Sequence, residues 1–191
     1  MKSRRAVLVV DVQNDFCTGG ILAARGTTTL IAHLNKFLAG LDESLPVILT
    51  RDWHPPQHDS FSDYGGPWPA HCIQGTPGAA FACNFEIPSR ALIVNKGTKP
   101  GSMGYSPFEL REFINTIESM KIKELGVCGI ATEYCVKNTV LDALKLDFKV
   151  EVLTDMISPI EATPGDSELA LETMFSAGAK KSTGAEWSGY I

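Results

Sequence analysis

Short apolar runs alternate along the chain with longer segments in which apolar residues recur at helical spacing. The apolar runs predict buried strands, and they are AVLVVDV (6–12), PVILTR (46–51), ALIVN (91–95), ELGVCGI (124–130), FKVEVLTD (148–155) and a short run near Lys181. The helical segments are TTTLIAHLNKFLAG (27–40), PFELREFINTIESM (107–120), a run beginning near Thr132 and SELALETMFSAGA (167–179). Continuous apolar strands that alternate with helices indicate an α/β fold, with a mostly parallel central sheet and helices on both faces.

A cysteine lies in the first turn of the helix predicted within GIATEYCVKNTVLDALKL (129–146). Thr132 suits an N-cap, which puts Cys135 at about position N3. Unpaired N–H groups and the helix dipole favour negative charge in that turn, so we expect the thiol to ionise more easily than usual. Cys135 is therefore a candidate nucleophile. The alternative is a small apolar residue packed under the helix.

Composition narrows the class of protein. The chain has 191 residues, 44% of them hydrophobic, which is enough to bury a full core, so we predict a single soluble domain over residues 1–191. The net charge of -5 and the lack of a basic cluster argue against a nucleic-acid partner. No segment approaches the roughly 20 apolar residues of a membrane helix. Five cysteines without CxxC spacing argue against a disulfide framework and favour a reducing cytoplasm.

Residues 52–90 form a long irregular stretch, and such a stretch inside a compact domain is usually functional. Asp52 and His54 are two residues apart in an extended segment, so their side chains point the same way. With His71 they offer three N/O ligands, which is typical of a catalytic site for zinc, iron or manganese. His58 is left open as a fourth ligand, a partner of the ligands or an ordinary loop histidine.

Ligands of parallel α/β sheets bind beyond the carboxyl ends of the strands. Asp11 lies near the end of the first predicted strand, Lys96 follows the strand 91–95, and Cys135 follows a later strand. Taken singly, a carboxylate at a strand end often fastens a loop, and a lysine is usually a solvated charge. Together, a lysine beside the thiol would favour thiolate, and Asp11 could carry the proton. These residues therefore predict a nucleophile, its base and a cation.

Six motifs, in order along nearly the whole chain, resemble the nicotinamidases of the isochorismatase-like hydrolase superfamily. They are DVQNDF (11–16), RDWHPPQH (51–58), PWPAHC (67–72), NKG (95–97), YSPF (105–108) and GIATEYCV (129–136). The resemblance implies a Rossmann-like three-layer fold and a cytoplasmic enzyme of NAD salvage. It would convert nicotinamide to nicotinate and ammonia through a cysteine thioester, and would also accept pyrazinamide. Alternatives are a related amidohydrolase acting on another small amide, and a redox or metal-binding protein that pairs Cys135 with Cys17 or Cys72.

The resemblance also implies roles for individual residues. The expected triad and metal ligands are those already singled out: Asp11, Lys96 and Cys135 for catalysis, and Asp52, His54 and His71 for one divalent ion, zinc first and iron or manganese otherwise. A cis peptide before Ala131 would turn the N–H groups of Ala131 and Cys135 toward a developing oxyanion.

The remaining implied residues belong to the surroundings of the substrate and the metal. Phe16, Trp68 and Tyr105 would line a slot for a flat ring. Ser60, which follows His58 in the loop, matches a residue that holds metal-bound water. The expected partner is a small amide, and a homo-oligomer is left open.

Overall fold

A computed structural model describes residues 4–189 and contains one six-stranded sheet in which neighbouring strands run parallel. The strands are β1 (Arg4–Val10), β2 (Val47–Asp52), β3 (Leu92–Lys96), β4 (Ile122–Ile130), β5 (Lys149–Ser158) and β6 (Lys180–Ser182). Their order in space is β3-β2-β1-β4-β5-β6, so the direction of winding reverses between β1 and β4. The predicted fold class is confirmed.

Helices cover both faces of the sheet. Within residues 4–189 they are α1 (Thr27–Ala39), α2 (Arg111–Ser119), α3 (Lys137–Lys145), α4 (Asp166–Ser176) and α5 (Gly184–Gly189). Successive side chains of a strand point to opposite faces, so β1 contributes to two cores. Val7 and Val9 pack with α1 and α5, whereas Leu8 and Val10 pack with α2, α3 and α4. The apolar run of β1 is buried on both sides, as a central parallel strand requires.

Most predicted elements agree with the structure to within a few residues, but the helix predicted from near Thr132 begins with a π-helical turn, Thr132–Val136, before α3. The segment predicted as one helix from 107 begins with a separate 3-10 turn, Pro107–Glu109, before α2. The short helix α5 was not predicted, because six residues give too few turns for a periodic pattern. The boundaries 1–191 of the predicted domain stay a prediction, since residues 1–3 and 190–191 lie outside the described part of the chain.

The connection between β2 and β3, residues 53–91, is as irregular as the sequence predicts. It contains two 3-10 turns, Ser62–Tyr64 and Pro77–Ala79. Isolated bridges pair His54 with Ile73 and Phe61 with Trp68. In the described range 4–189, no helix combines the length and the apolar character needed to cross a membrane.

Candidate active site

The carboxyl ends of the strands bring the predicted triad together around the amine of Lys96, the last residue of β3. Its Nζ lies 2.7 Å from Oδ2 of Asp11 and 3.3 Å from Sγ of Cys135. The same Nζ lies 2.5 Å from Oδ1 of Asp52 and donates to the carbonyl oxygen of Gly104 at 2.7 Å. Lys96 and Asp11 are completely buried. Although burial opposes the charge, the carboxylates and the thiol raise the pKa of Lys96, so it stays an ammonium.

Asp11 follows β1 and is anchored to β2. Its Oδ1 accepts a hydrogen bond from Oγ1 of Thr50 at 2.7 Å, and its N–H donates to the Thr50 carbonyl at 3.2 Å. Its φ is +48°, in the left-handed region that aspartate tolerates better than most residues. Burial and the neighbouring charge of Asp52 raise the pKa of Asp11, against the ammonium of Lys96. This carboxyl therefore takes up a proton more readily than an exposed aspartate.

Cys135 lies in a π-helical turn, Thr132–Val136, that leads into α3. The residue before this turn is Ala131, and the peptide bond from Ile130 to Ala131 is cis, as the family resemblance implies. The prediction that Thr132 caps the helix is wrong. Thr132 lies inside the turn, and its hydroxyl has no hydrogen-bond partner among the described residues. A π turn places Cys135 in the opening of the helix without a capping side chain.

The sequence predicts that the thiol of Cys135 ionises easily, whereas in the structure its pKa is raised. Burial raises its pKa well above the ordinary range, and the carboxylates of Asp11 and Asp52 raise it further, against the lowering effect of Lys96. The reason is that the start of this helix is buried, whereas the sequence argument considered only its N–H groups and dipole. The resting site therefore holds the proton of Cys135 until a nearby base removes it.

Two histidines and one carboxylate converge beside the triad. Oδ2 of Asp52 lies 3.5 Å from Nε2 of His54 and 4.0 Å from Nε2 of His71. Nδ1 of His54 lies 2.9 Å from the Gly97 carbonyl, and Nδ1 of His71 lies 2.8 Å from the Pro69 carbonyl. A carbonyl only accepts hydrogen bonds, so each neutral ring carries its hydrogen on Nδ1 and turns a free Nε2 toward Asp52.

These three side chains fit a divalent cation. Their ligand atoms lie within 4.8 Å of one another, and all three residues are buried. Burial lowers the pKa of His71, which keeps its ring neutral as metal binding requires. Burial alone would raise the pKa of Asp52, but the neighbouring ammonium of Lys96 outweighs it, so the carboxylate is ionised. The structure thus brings together the three residues predicted as metal ligands.

Gln13 was not predicted as part of the site, although it holds Asp52 in place. Its Nε2 donates to the backbone carbonyl of Asp52 at 2.8 Å and to that of Ala79 at 2.9 Å. Its Oε1 accepts from the backbone N–H of Asp52 at 2.7 Å. The sequence did contain a signal for this role, because Gln13 is a polar residue that follows a buried strand inside the motif DVQNDF. Gln13 ties the end of β2 to the loop and fixes the position of the carboxylate.

His58 and Ser60 lie beside the cation ligands. The rings of His58 and His54 have centroids 4.2 Å apart. Nδ1 of His58 lies 2.7 Å from Oγ of Ser60, and its Nε2 lies 3.2 Å from the carbonyl of Lys99. Both ring nitrogens are therefore engaged outside the group formed by Asp52, His54 and His71. His58 packs against His54 in this structure, while its role toward the cation and the contact of Ser60 with water stay predictions.

A narrow cleft, with a free volume of about 20 Å³, opens above Cys135. Its lining contains the three predicted aromatic residues and seven others: Phe16, Leu22, Asp52, Trp68, His71, Tyr105, Ala131, Tyr134, Cys135 and Ile160. Nε1 of Trp68 donates to the hydroxyl of Tyr105 at 2.9 Å, and the Trp68 ring stands at 89° to that of Tyr134. The apolar side chains of Leu22 and Ile160 come from loops, where the sequence carries no periodic signal. The aromatic side chains and the thiol of Cys135 therefore face the same cleft.

The five cysteines are free thiols, so no disulfide joins Cys135 to Cys17 or Cys72. Four of them are buried, and Cys83 is exposed.

Known proteins are similar to this chain in sequence and in fold over nearly their whole length. The nicotinamidase of Escherichia coli is 36% identical, with 96% of this chain and 96% of that protein covered. The nicotinamidase/pyrazinamidase of Mycobacterium tuberculosis is also 36% identical, with 91% and 95% covered. The crystal structure of the Pyrococcus horikoshii pyrazinamidase in complex with zinc superposes with a TM-score of 0.88 at 41% identity, covering 94% and 99%. The isochorismatase domain model matches residues 5–186, and the chain therefore belongs to the isochorismatase family.

Proposed function

We propose that this protein is a nicotinamidase, which hydrolyses the carboxamide of nicotinamide to nicotinate and ammonia. The observation that carries the proposal is the ammonium of Lys96, 3.3 Å from the thiol of Cys135 and 2.7 Å from Asp11, beneath a cleft with aromatic walls. The two relatives at 36% identity are named as nicotinamidases, which supports the same activity here. Pyrazinamide has the same carboxamide on a flat ring and is a second substrate. The reaction belongs to NAD salvage in the cytoplasm.

The first half of the reaction uses Asp11 as the base and Cys135 as the nucleophile. The proton of the thiol passes to Asp11, whose raised pKa suits it to receive a proton in this buried site. The thiolate, paired with the ammonium of Lys96, forms a bond to the amide carbon. The backbone N–H groups of Ala131 and Cys135 stabilise the negative charge that develops on the amide oxygen.

The second half returns the site to its starting state. The C–N bond breaks as Asp11 gives its proton to the leaving nitrogen, so ammonia departs and a thioester remains on Cys135. Asp11 then takes a proton from water as the water oxygen attacks the thioester carbon. The C–S bond breaks, nicotinate leaves, and the proton returns to the sulfur. Asp11 therefore carries a proton twice in each turnover.

The walls of the cleft orient the ring. Phe16 and Trp68 provide flat apolar surfaces, and the hydrogen bond from Trp68 holds the hydroxyl of Tyr105 in place. A planar aromatic amide buries its ring faces in this slot and presents its carboxamide to Cys135. The surrounding apolar side chains limit the access of bulk water to the thioester.

Asp52, His54 and His71 would hold one divalent cation at the edge of the cleft. Two imidazole nitrogens and one carboxylate oxygen suit zinc, with iron or manganese as alternatives. The zinc complex of the Pyrococcus horikoshii relative supports zinc. When bound, the cation would supply Lewis acidity beside the substrate. The substrate pocket and this site share His71 and Asp52 in one lining.

The decisive experiment is ammonia release from a panel of small amides that contains nicotinamide, pyrazinamide, benzamide and acetamide. We expect turnover of the first two and loss of turnover in Cys135→Ala. Mass spectrometry of quenched reactions should detect the nicotinoyl group on Cys135 of the parent. Turnover of another small amide without turnover of nicotinamide would favour the alternative, a related cysteine amidohydrolase. A homo-oligomer stays a prediction, which sedimentation of the full chain can test.

A further inference from the structure

The donor atoms around the amine of Lys96 have the composition of a cation site. Ligand atoms of Asp11, Asp52 and Cys135 lie within 4.8 Å of one another, like those of the group that contains the two histidines. The carbonyl oxygen of Gly104 is a fourth donor. Carboxylate oxygens, a thiolate sulfur and a backbone carbonyl are all groups that bind divalent cations in proteins.

The amine lies among these four donors. Its Nζ lies 2.5 Å from Oδ1 of Asp52 and 2.7 Å from Oδ2 of Asp11. The same Nζ lies 2.7 Å from the carbonyl oxygen of Gly104 and 3.3 Å from Sγ of Cys135. Lys96 is completely buried and reaches this point from the end of β3. A metal ion could use the same donors only if the ammonium left, and the buried side chain would then lose all four acceptors. An ammonium and a divalent ion cannot both occupy this space.

We propose that Lys96 excludes a second divalent cation from the catalytic thiol, by filling a latent cation site formed by Asp11, Asp52, Cys135 and the carbonyl of Gly104. The thiolate makes this site attractive to thiophilic ions such as zinc. An ion bound there would occupy the electron pair that the nucleophile needs. Of the two donor groups found within residues 4–189, the built-in ammonium leaves the histidine-containing one open to a cation, so the thiol stays free.

The position of Asp52 supports this inference. Its Oδ1 lies against Lys96, whereas its Oδ2 faces the histidines at 3.5 and 4.0 Å. One carboxylate with its oxygens directed to two separate donor groups has the arrangement of a bridging ligand in two-metal sites, where the ions lie about 3.5–4 Å apart. In this protein one of the two positions is filled by the ammonium of a side chain.

Lys96→Met empties the latent site and leaves the buried carboxylates of Asp11 and Asp52 without their cation. Methionine retains an apolar stem but is one atom shorter than lysine, so the position of Nζ becomes free. The variant should bind two zinc ions per chain in equilibrium dialysis, and the parent should bind one. With cobalt in place of zinc, only the variant should show the near-ultraviolet charge-transfer absorption of a cobalt–thiolate bond. Binding at the second site should also release the proton of Cys135, which a pH indicator can detect.

Two double variants assign the ions to their sites. Lys96→Met with Cys135→Ala should lose the thiolate absorption and the second ion but retain the first. Lys96→Met with His71→Ala should retain the thiolate absorption. All proteins in the series should carry Cys83→Ser, because Cys83 is an exposed thiol that could bind ions by itself. Circular dichroism and thermal unfolding establish that each variant is folded.

Two results would overturn the proposal. The first is cobalt–thiolate absorption in the parent at excess cobalt, since the ammonium would then not exclude the ion. The second is a folded Lys96→Met protein that binds only one ion. If Lys96→Met does not fold, the parent protein alone tests the proposal. Cobalt–thiolate absorption must then stay absent in the parent after cobalt has saturated the histidine-containing site. These measurements use no amide, so their outcome is independent of the proposed amidase activity.

Discussion

The hydrogen bond from Thr50 to Asp11 allows the proton carrier to be changed without altering any reacting atom. The bond is 2.7 Å long and joins two residues that are both completely buried. Thr50→Val keeps the shape of the side chain and removes its hydroxyl. The hydroxyl stabilises the ionised form of Asp11, so its loss should raise the pKa of Asp11 further.

The size of the effect follows from the burial of the bond. A hydrogen bond to a charged group contributes about 1.5–3 kcal/mol net, which corresponds to roughly a 10- to 100-fold change in an equilibrium. Asp11 must be ionised to accept the thiol proton, and kcat/KM reports ionisations of the free enzyme. On the acid side of the pH profile, Thr50→Val should therefore lower kcat/KM for nicotinamide by about 10- to 100-fold. Near the optimum the loss should be smaller, since Asp11 is ionised there.

Thr139→Val is the matched control. Thr139 is also completely buried, but its hydroxyl has no hydrogen-bond partner among the described residues. Its removal should leave the pH profile unchanged and the free energy of unfolding unchanged or slightly higher. Ammonia release measured across pH for the three proteins tests this reasoning. An unmoved acid limb in Thr50→Val, or an equal displacement in Thr139→Val, would refute it.

Three further predictions concern other parts of the molecule. Cys135→Ala should fold, form no acyl-enzyme by mass spectrometry and lose about 10³-fold or more in kcat, and a residual rate within about tenfold of the parent would contradict its role. A cation held by Asp52, His54 and His71 would bind the pyridine nitrogen that benzamide lacks, so we expect a preference of about 10² for nicotinamide over benzamide in the parent. Chelation or His71→Ala should lower both cation content and this preference, whereas exposed His33→Ala should change neither. Burial raises the pKa of the Cys128 thiol in the folded protein. Above pH about 9 the Cys128 thiol is therefore ionised in the unfolded chain while it keeps its proton in the folded one. The free energy of unfolding should then fall by up to about 1.4 kcal/mol per pH unit. Urea unfolding at several alkaline pH values should show a smaller slope for Cys128→Ala.

The sequence was sufficient to predict that the three triad residues lie close together, because their placement follows from the topology of the sheet. Parallel strands end at one edge of the sheet, so Asp11 after β1 and Lys96 at the end of β3 had to lie on the same side. The periodicity that predicted α3 also placed Cys135 at the start of a helix on that side. These conclusions needed the order of elements and no side-chain geometry.

The features that the sequence did not predict depend on packing between distant segments. The π turn around Cys135 and the burial that raises the pKa of its thiol arise from elements that close over it. Gln13 bonds to Asp52 and Ala79, which are 39 and 66 residues away in the chain. The role of His58 was left open because one partner of its ring, Ser60, is near in sequence, whereas the other, the carbonyl of Lys99, is 41 residues away. Local propensity contains none of this information.

The irregular connection 53–91 carries both histidines of the cation site, while the triad rests on the sheet edge. Its bridges are isolated ones, such as those of His54 with Ile73 and Phe61 with Trp68, so few ladder bonds hold this segment compared with β1. We expect its amide hydrogens to exchange through local openings that leave the sheet intact. A cation that binds only the closed form would slow this exchange about 100-fold at 100 times its Kd, or about 2.7 kcal/mol, without changing exchange in β1. Hydrogen exchange along one loop would thus serve as a gauge of cation occupancy, separate from both catalysis and global stability.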